Sequence, residues 1–146
     1  MKKIMLVGAV GTGKTTLTQR LKGQEISYHK TQAIQFEDVV IDTPGEFTQR
    51  RQYYSALQVT STEADVVGLL QSVGESFDTF PPGFSSMFSC PSIGIITKVD
   101  LAENEEEVKF AELSLLNAGA VKVFKVSSTE NEGIQEVLDY LKKEEK

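Results

Sequence analysis

The densest group of residues suited to chemistry lies at residues 8–15, near the amino terminus. These residues read GAVGTGKT, which fits the pattern GxxxxGK[ST] in full. Glycines let a main chain turn its N–H groups toward phosphate oxygens, and a helix that follows adds the positive end of its dipole. We therefore predict a phosphate-binding loop. The alternative interpretation is a glycine-rich turn beside an ordinary surface lysine.

Within this loop, the residue types predict separate roles toward a nucleoside triphosphate and Mg²⁺. Lys14 would contact the β- and γ-phosphates as a mobile positive charge, and the Thr15 hydroxyl would coordinate Mg²⁺. The residues predicted to bind the nucleotide here are Gly8, Val10, Gly11, Thr12, Gly13, Lys14, Thr15 and Thr16.

A second candidate site follows where an apolar run ends at Asp42-Thr43-Pro44-Gly45. Because Mg²⁺ prefers oxygen ligands, we predict that Asp42 binds the metal through a water molecule. The main-chain N–H of Gly45 would donate to the γ-phosphate, which would make the following loop sensitive to that phosphate. Taken alone, DTPG also fits a plain β-turn.

A third candidate site, Thr97-Lys98-Val99-Asp100, follows another apolar run. A carboxylate accepts two hydrogen bonds from the N1–H and 2-amino groups of guanine, and adenine has no such pair of donors. Asp100 therefore favours GTP or GDP as the ligand, with ATP as the alternative, and the Lys98 stem would lie on the phosphate-free side. A strand that ends in a charged turn would look the same.

Ser127 and Ser128 follow the last apolar run of the chain. They would place a main-chain amide near the base. Equally, this Ser/Thr run fits the N-cap of the final helix.

These motifs need a scaffold that gathers strand ends, and the alternation of apolar runs with helical segments predicts one. We predict an α/β fold, a doubly wound and mostly parallel sheet of about six strands, with ligands beyond the strand ends. The predicted strands are residues 3–8, 31–36, 39–41, 65–70, 93–97 and 121–126, and the predicted helices are 14–22, 48–60, 104–117 and 130–143.

Size and charge limit the classes of function. The 146 residues are 40% hydrophobic, which suits a single domain over residues 1–146. With a net charge of −6 the chain has no broad basic field, so neither nucleic acid nor an anionic membrane is an expected partner. The single cysteine, Cys90, cannot form an internal disulfide, and no signal peptide or membrane span is expected. We expect a cytoplasmic protein.

With GAVGTGKT, DTPG and TKVD in this order, the chain resembles the Ras-like superfamily of small GTPases over nearly its whole length. More narrowly, it resembles the P-loop proteins of ethanolamine and propanediol utilisation, the EutP/PduV family. The segments that carry this resemblance are KTQAIQFED, VVIDTPGEF, the Arg50-Arg51 pair before YYSAL, FPPGFSSMF and VSSTENEGI. The resemblance implies a role in bacterial ethanolamine or propanediol breakdown, alongside a microcompartment whose shell or pathway proteins would be partners. Members have also been described as acetate kinases.

Three positions acquire meaning only from this resemblance. Thr97 stands where asparagine is usual, which removes an amide that commonly braces the purine and the phosphate loop. Glu46 stands where Ras-type proteins place a water-orienting glutamine, and repulsion between its carboxylate and the γ-phosphate predicts slow hydrolysis. Thr31, the only threonine between the first helix and Asp42, is expected to complete the Mg²⁺ ligands.

Three functions stay open at this point: a slow GTP-hydrolysing switch, a phosphotransferase acting on acetate, and a nucleotide-gated adaptor without catalysis. An acetate pocket would be lined by Arg50, Arg51 or His29, although the arginines also fit a solvated helix face and the histidine an exposed loop. An adaptor would dock through Phe77, Phe80, Phe84 and Phe88, which alternatively cover the core. The acidic run 103–107 is predicted to cap a helix.

Overall fold

The computed structural model describes residues 2–9, 12–21, 40–43, 51–74, 80–127 and 132–142, without the side chains of Asp42 and Arg51. Its strands are β1 Ile4–Val7, β2 Val40–Asp42, β3 Val66–Ser72, β4 Ser92–Thr97 and β5 Val123–Lys125. In the described residues they form one five-stranded sheet, in the order β2-β1-β3-β4-β5, and all four pairings are parallel. The predicted α/β parallel sheet is confirmed, while the edge strand predicted at 31–36 lies outside the described residues.

Helices follow the strands. They are α1 at residues 14–21, α2 Tyr54–Ser61, α3 Glu105–Ala118 and α4 Ile134–Lys142, with short 3-10 turns at Arg51–Tyr53, Phe84–Met87 and Val99–Leu101. The start of α3 confirms the predicted capping, because Asn104 Oδ1 accepts from Glu107 N at 3.0 Å and Glu107 Oε2 accepts from Glu103 N at 2.8 Å. At its other end, Gly119 adopts φ 112°, which stops the helix.

Two elements differ from the predictions. The helix expected from residue 48 begins as α2 only at Tyr54, after a 3-10 turn, and residues 44–50 lie outside the described ranges. Strand β3 continues to Ser72, two residues past its predicted end at 70, because Gln71 pairs with Ile96 and Ser72 with Thr97 on β4. Pairing therefore draws two polar residues into the sheet.

The sheet is covered on both faces, as a doubly wound fold requires. Alternate side chains of each strand point to opposite faces. One face, the α1/α4 face, packs Ile4, Leu6, Leu70 and Ile95 against α1 and α4. The other, the α2/α3 face, packs Met5, Val7, Leu69 and Ile96 against α2, α3 and three phenylalanines. All seven residues of the central strand β3 are buried.

The three described phenylalanines of the Pro/Gly loop belong to this core. Phe80, Phe84 and Phe88 are 3%, 3% and 8% exposed, and the Phe84 ring centroid lies 5.0 Å and 5.6 Å from those of its two neighbours. Their predicted role as a cover of the core is confirmed. A docking patch made of these rings is excluded, and Phe77 lies outside the described residues.

Cys90 is half-buried, with its Sγ 4.0 Å from the main-chain oxygen of Ser61. Burial, helped by the negative charge of Asp65, raises the pKa of the Cys90 thiol. The unfolded chain therefore loses the thiol proton at a lower pH than the folded chain, so this contribution to stability is complete below the unfolded pKa and disappears as pH rises through the folded pKa.

We expect the free energy of unfolding to fall more between pH 7 and pH 10 in the wild type than in Cys90→Ala, measured by urea denaturation. Equal falls would contradict this.

Candidate nucleotide-binding site

The three predicted sites follow strands that end at one edge of the sheet. Parallel pairing places Asp42 beside Leu6, Val7 beside Leu69, and Thr97 beside Ser72. Because β3 alone separates β1 from β4, the phosphate loop and the TKVD segment are one strand apart. This edge, at the carboxyl ends of the strands, is where α/β sheets bind ligands.

The phosphate loop turns tightly as it leaves β1. Both the main-chain N–H and the hydroxyl of Thr12 donate to Ala9 O, at 3.3 Å and 2.9 Å. Gly13 adopts φ +86°, a conformation that L side chains rarely take, and α1 starts at the next residue. A Cβ added at Gly8 would lie 2.8 Å from Thr12 Oγ1 and 3.0 Å from Leu70 Cβ. These glycines are therefore needed for the turn and for its close packing on β3, while Val10 and Gly11 lie outside the described residues.

Lys14, Thr15 and Thr16 form the first turn of α1. Lys14 is 8% exposed, whereas Thr15 and Thr16 are both exposed. The N–H groups of a first helical turn have no partner within the helix, so this turn faces a ligand with donors and a positive dipole end. An exposed hydroxyl at Thr15 suits the predicted contact with a hard cation.

Thr97 braces the phosphate loop from β4. Its hydroxyl donates to Thr12 O at 2.5 Å, and the two residues are 2% and 1% exposed. The amide of the usual asparagine is absent, but the Thr97 hydroxyl braces the phosphate loop through the Thr12 carbonyl. This bond joins the two motifs directly.

Thr97→Val keeps the shape of the side chain but leaves the buried Thr12 oxygen without this donor. We expect the free energy of unfolding to fall by about 1–3 kcal/mol, together with weaker nucleotide binding. Thr60→Val is the matched control, since the Thr60 hydroxyl donates to Ala56 O at 2.8 Å within α2. Urea denaturation and nucleotide titration of both variants check this, and equal losses in the two would contradict it.

Lys98 has an unusual backbone. At φ 60° and ψ 34° it is the non-glycine residue with positive φ among the described residues. Its Cε lies 3.7 Å from the position of a Cβ added at Gly13, so the stem of the side chain runs along the phosphate loop. Such conformations persist where the surrounding structure holds them, often at functional sites.

Asp100 is held by Ser127. The Ser127 hydroxyl donates to Asp100 Oδ1 at 2.6 Å, and Ser127 is fully buried while Asp100 is exposed. Ser127 is fixed in turn by two main-chain hydrogen bonds with Glu132, of 3.0 Å and 2.9 Å. The N-cap interpretation of Ser127 is wrong, because α4 begins only at Ile134. Its hydroxyl orients the carboxylate, a role that the sequence analysis missed.

Thr43 ties the DTPG segment to the sheet. Its hydroxyl donates to Leu6 O at 2.8 Å, and the residue is 4% exposed. This contact, also missed by the sequence analysis, fixes the chain just after Asp42, the last residue of β2.

Several predicted residues lie outside the described ranges, and their roles stay predictions. These are the Asp42 and Arg51 side chains and Thr31, Gly45, Glu46, His29, Arg50 and Ser128. Among the described helices, none is long and apolar enough to cross a membrane.

Comparisons with known proteins identify the family of this chain. The family PduV-EutP, described as "Ethanolamine utilisation - propanediol utilisation", matches residues 1–143. The chain is 42% identical over 145 residues to the propanediol utilization protein PduV of Citrobacter freundii, covering 99% of this chain and 96% of that protein. It is 34% identical over 144 residues to the probable acetate kinase EutP of Escherichia coli (strain K12), covering 97% and 89%.

More distant relatives are GTPases. The GTPase Era of Sinorhizobium medicae (strain WSM419) is 30% identical over 159 residues, which cover 94% of this chain and 51% of Era. The elongation factor SelB of Methanococcus maripaludis, solved with the GTP analogue GppNHp, superposes with a TM-score of 0.65 at 20% identity, over 95% of this chain and 32% of SelB. That likeness shows the fold. The chain belongs to the PduV-EutP family, the ethanolamine and propanediol utilisation proteins.

Proposed function

We propose that this protein binds GTP with Mg²⁺ and hydrolyses it slowly. The observation that carries the proposal is the hydrogen bond from Thr97 to Thr12 O, which joins the phosphate loop to the segment that bears Asp100. A segment that recognises the base and a loop that binds phosphate, located on strand ends separated by β3 and joined by this hydrogen bond, suit a purine nucleoside triphosphate. Relatives named GTPase support the same ligand class.

The residues present fit Mg²⁺, because Thr15 is exposed at the start of α1 and its hydroxyl, with carboxylate and phosphate oxygens, would form a hard-cation donor set. Thr15, Thr31 and, through water, Asp42 would hold it. When bound, the metal neutralises charge on the phosphates. The reaction would be attack of water on the γ-phosphate, in line with the bond to the leaving GDP. The protein would contribute positioning and charge stabilisation.

On this proposal Lys14 and the loop N–H groups bind the phosphates, and the Gly45 N–H donates to the γ-phosphate. Glu46 would be repelled by the γ-phosphate and would orient water poorly, which makes hydrolysis slow. Asp100, fixed at one oxygen by Ser127, would accept from guanine. Nothing equivalent is offered by the Watson–Crick edge of adenine.

The second candidate is phosphate transfer between ATP and acetate, favoured by the name of the E. coli relative, a probable acetate kinase. An acetate site would need cationic side chains beside the γ-phosphate, from Arg50, Arg51 or His29. The same phosphate loop would serve both reactions.

One experiment separates them. Nucleotide-stripped protein is titrated with fluorescent GTP and then ATP, each with Mg²⁺ and with EDTA, and both phosphate and acetyl phosphate are followed with acetate present and absent. Mg²⁺-dependent, selective GTP binding with slow phosphate release, unchanged by acetate, would support the proposal. Selective ATP binding with acetyl phosphate formation would establish the phosphotransferase instead.

Cellular context extends the proposal. We place the protein in the cytoplasm, in ethanolamine or propanediol breakdown, with a microcompartment shell or pathway protein as its partner. If GTP bound tightly and no phosphate were released, the adaptor without catalysis would replace the switch. Its docking surface would lie outside the buried rings of Phe80, Phe84 and Phe88.

A further inference from the structure

Strand β3 contains a buried polar side chain that has no hydrogen-bond partner among the described residues. Gln71 is fully buried, and neither its Nε2 nor its Oε1 has a hydrogen-bond partner within the described part of the chain. A buried amide without partners destabilises the folded state. A leucine or methionine at this position would avoid that loss of stability, so the presence of glutamine needs a functional explanation.

The position of Gln71 along the strand places it beside the phosphate loop. Leu69 is paired with Val7, the last residue of β1, and Leu70 Cβ would lie 3.0 Å from a Cβ added at Gly8. Gln71 is one residue further along β3, just as Ala9 is one residue past Gly8, and the oxygen of Ala9 accepts both hydrogen bonds of the loop turn. The unpartnered amide therefore lies at the base of the loop.

The packing of neighbouring residues also defines the face of the sheet on which Gln71 lies. Leu70 packs on the α1/α4 face, whereas Leu69 and Ile96 pack on the α2/α3 face. Because side chains alternate, Gln71 lies on the α2/α3 face and Thr97 on the other. Two polar side chains near this edge of the sheet thus lie on opposite faces. That of Thr97 is bonded to Thr12, and that of Gln71 is not.

We propose that Gln71 is a positioning residue of the phosphate site, and that its carboxamide gains hydrogen-bond partners when Mg²⁺–GTP binds. The inference rests on the proposed function. A carboxamide both donates and accepts, so it can bond at once to a main-chain carbonyl of the loop and to a water held by a phosphate. The empty protein would then keep a destabilising group because the bound state uses it.

Ser92 provides a matched control within the same sheet. It is 2% exposed, and its Oγ likewise has no partner among the described residues. Ser92 is the first residue of β4 and therefore lies at the amino-terminal edge of the sheet. Strands β3 and β4 are parallel, and Gln71 lies near the opposite, carboxyl-terminal edge. Ser92 is therefore a buried, unbonded polar group at the end of the sheet away from the nucleotide site.

The test compares Gln71→Met with Ser92→Ala in nucleotide-stripped protein. Thermal unfolding without nucleotide and titration with fluorescent GTP and Mg²⁺ are measured for each. Both variants are expected to raise Tm, because each removes an unbonded polar group. Only Gln71→Met is expected to weaken Mg²⁺–GTP binding, by about tenfold, the loss of about one hydrogen bond.

Unchanged affinity in Gln71→Met, with wild-type protein binding normally, would overturn this inference alone. A lower Tm in that variant without nucleotide would also overturn it, since the amide would then have partners in the empty fold. Absence of Mg²⁺–GTP binding by the wild type would overturn the proposed function first. Should Gln71→Met fail to fold, the side-chain ¹⁵N amide resonance of Gln71 in the wild type must shift on adding Mg²⁺–GTP, and a fixed resonance would contradict the proposal.

Discussion

Lys14→Ala is expected to weaken the binding of Mg²⁺–GTP severely. Lys14 is 8% exposed at the start of α1, directly after the buried Thr12 and the positive-φ Gly13. The ammonium group of a buried lysine interacts strongly with phosphate charge, and removal of one partner from such a pair costs about 2–5 kcal/mol. That corresponds to an affinity loss of roughly 30- to 4000-fold. Titration of nucleotide-stripped protein with fluorescent GTP measures it.

Lys109→Ala is the control, because Lys109 is exposed on α3. Like Lys14→Ala, it removes one positive charge from the protein, but it should leave the nucleotide affinity at the wild-type value. Circular dichroism must show that Lys14→Ala remains folded. Wild-type affinity in a folded Lys14→Ala protein would refute the assignment of this loop to phosphate binding.

Asp100→Asn is expected to change the base preference of nucleotide binding from guanine to xanthine. The Ser127 hydroxyl donates to Asp100 Oδ1, and an asparagine oxygen can accept the same bond. The Nδ2 group then takes the place of Oδ2, where it repels the N1–H and 2-amino donors of guanine but donates to the 2-oxo group of xanthine. Loss of hydrogen bonds to a charged group costs about 1.5–3 kcal/mol each, so GTP affinity should fall by roughly 10- to 150-fold or more.

Competition titrations with GTP, XTP and ATP measure this change of base preference. Asp139→Asn is the control, since Asp139 Oδ1 accepts from Gln135 Nε2 on α4 and touches neither motif. XTP should bind more tightly to Asp100→Asn than to the wild type. An unchanged order of affinities would show that Asp100 does not read the base, and ATP binding indifferent to residue 100 would favour the phosphotransferase.

Local patterns predicted much of this fold. The alternation of apolar runs and helical segments indicated a parallel sheet, and the glycines of the phosphate loop indicated a tight turn before a helix. Both features depend on neighbours in sequence. The end of β3 was harder to predict, because Gln71 and Ser72 lie in the strand only through their pairing with β4.

The contacts that organise the site were beyond local pattern. Thr97 reaches Thr12 across 85 residues, and Ser127 reaches Asp100 across 27. Serine and threonine fit caps, turns and strand ends equally well, so their types alone do not select a partner. The order of the strands, with β3 between β1 and β4 and with β5 beside β4, brings these hydroxyls to their acceptors.

The Thr97–Thr12 hydrogen bond also has a thermodynamic meaning. Any coupling between two binding regions is reciprocal, so a phosphate group that tightens the base site must itself be tightened to the same degree by the base. The base and the phosphate groups of the nucleotide would then bind to the protein cooperatively. Guanosine and inorganic pyrophosphate, added as separate fragments, would each raise the affinity of the other, and that synergy would disappear when residue 97 loses its hydroxyl.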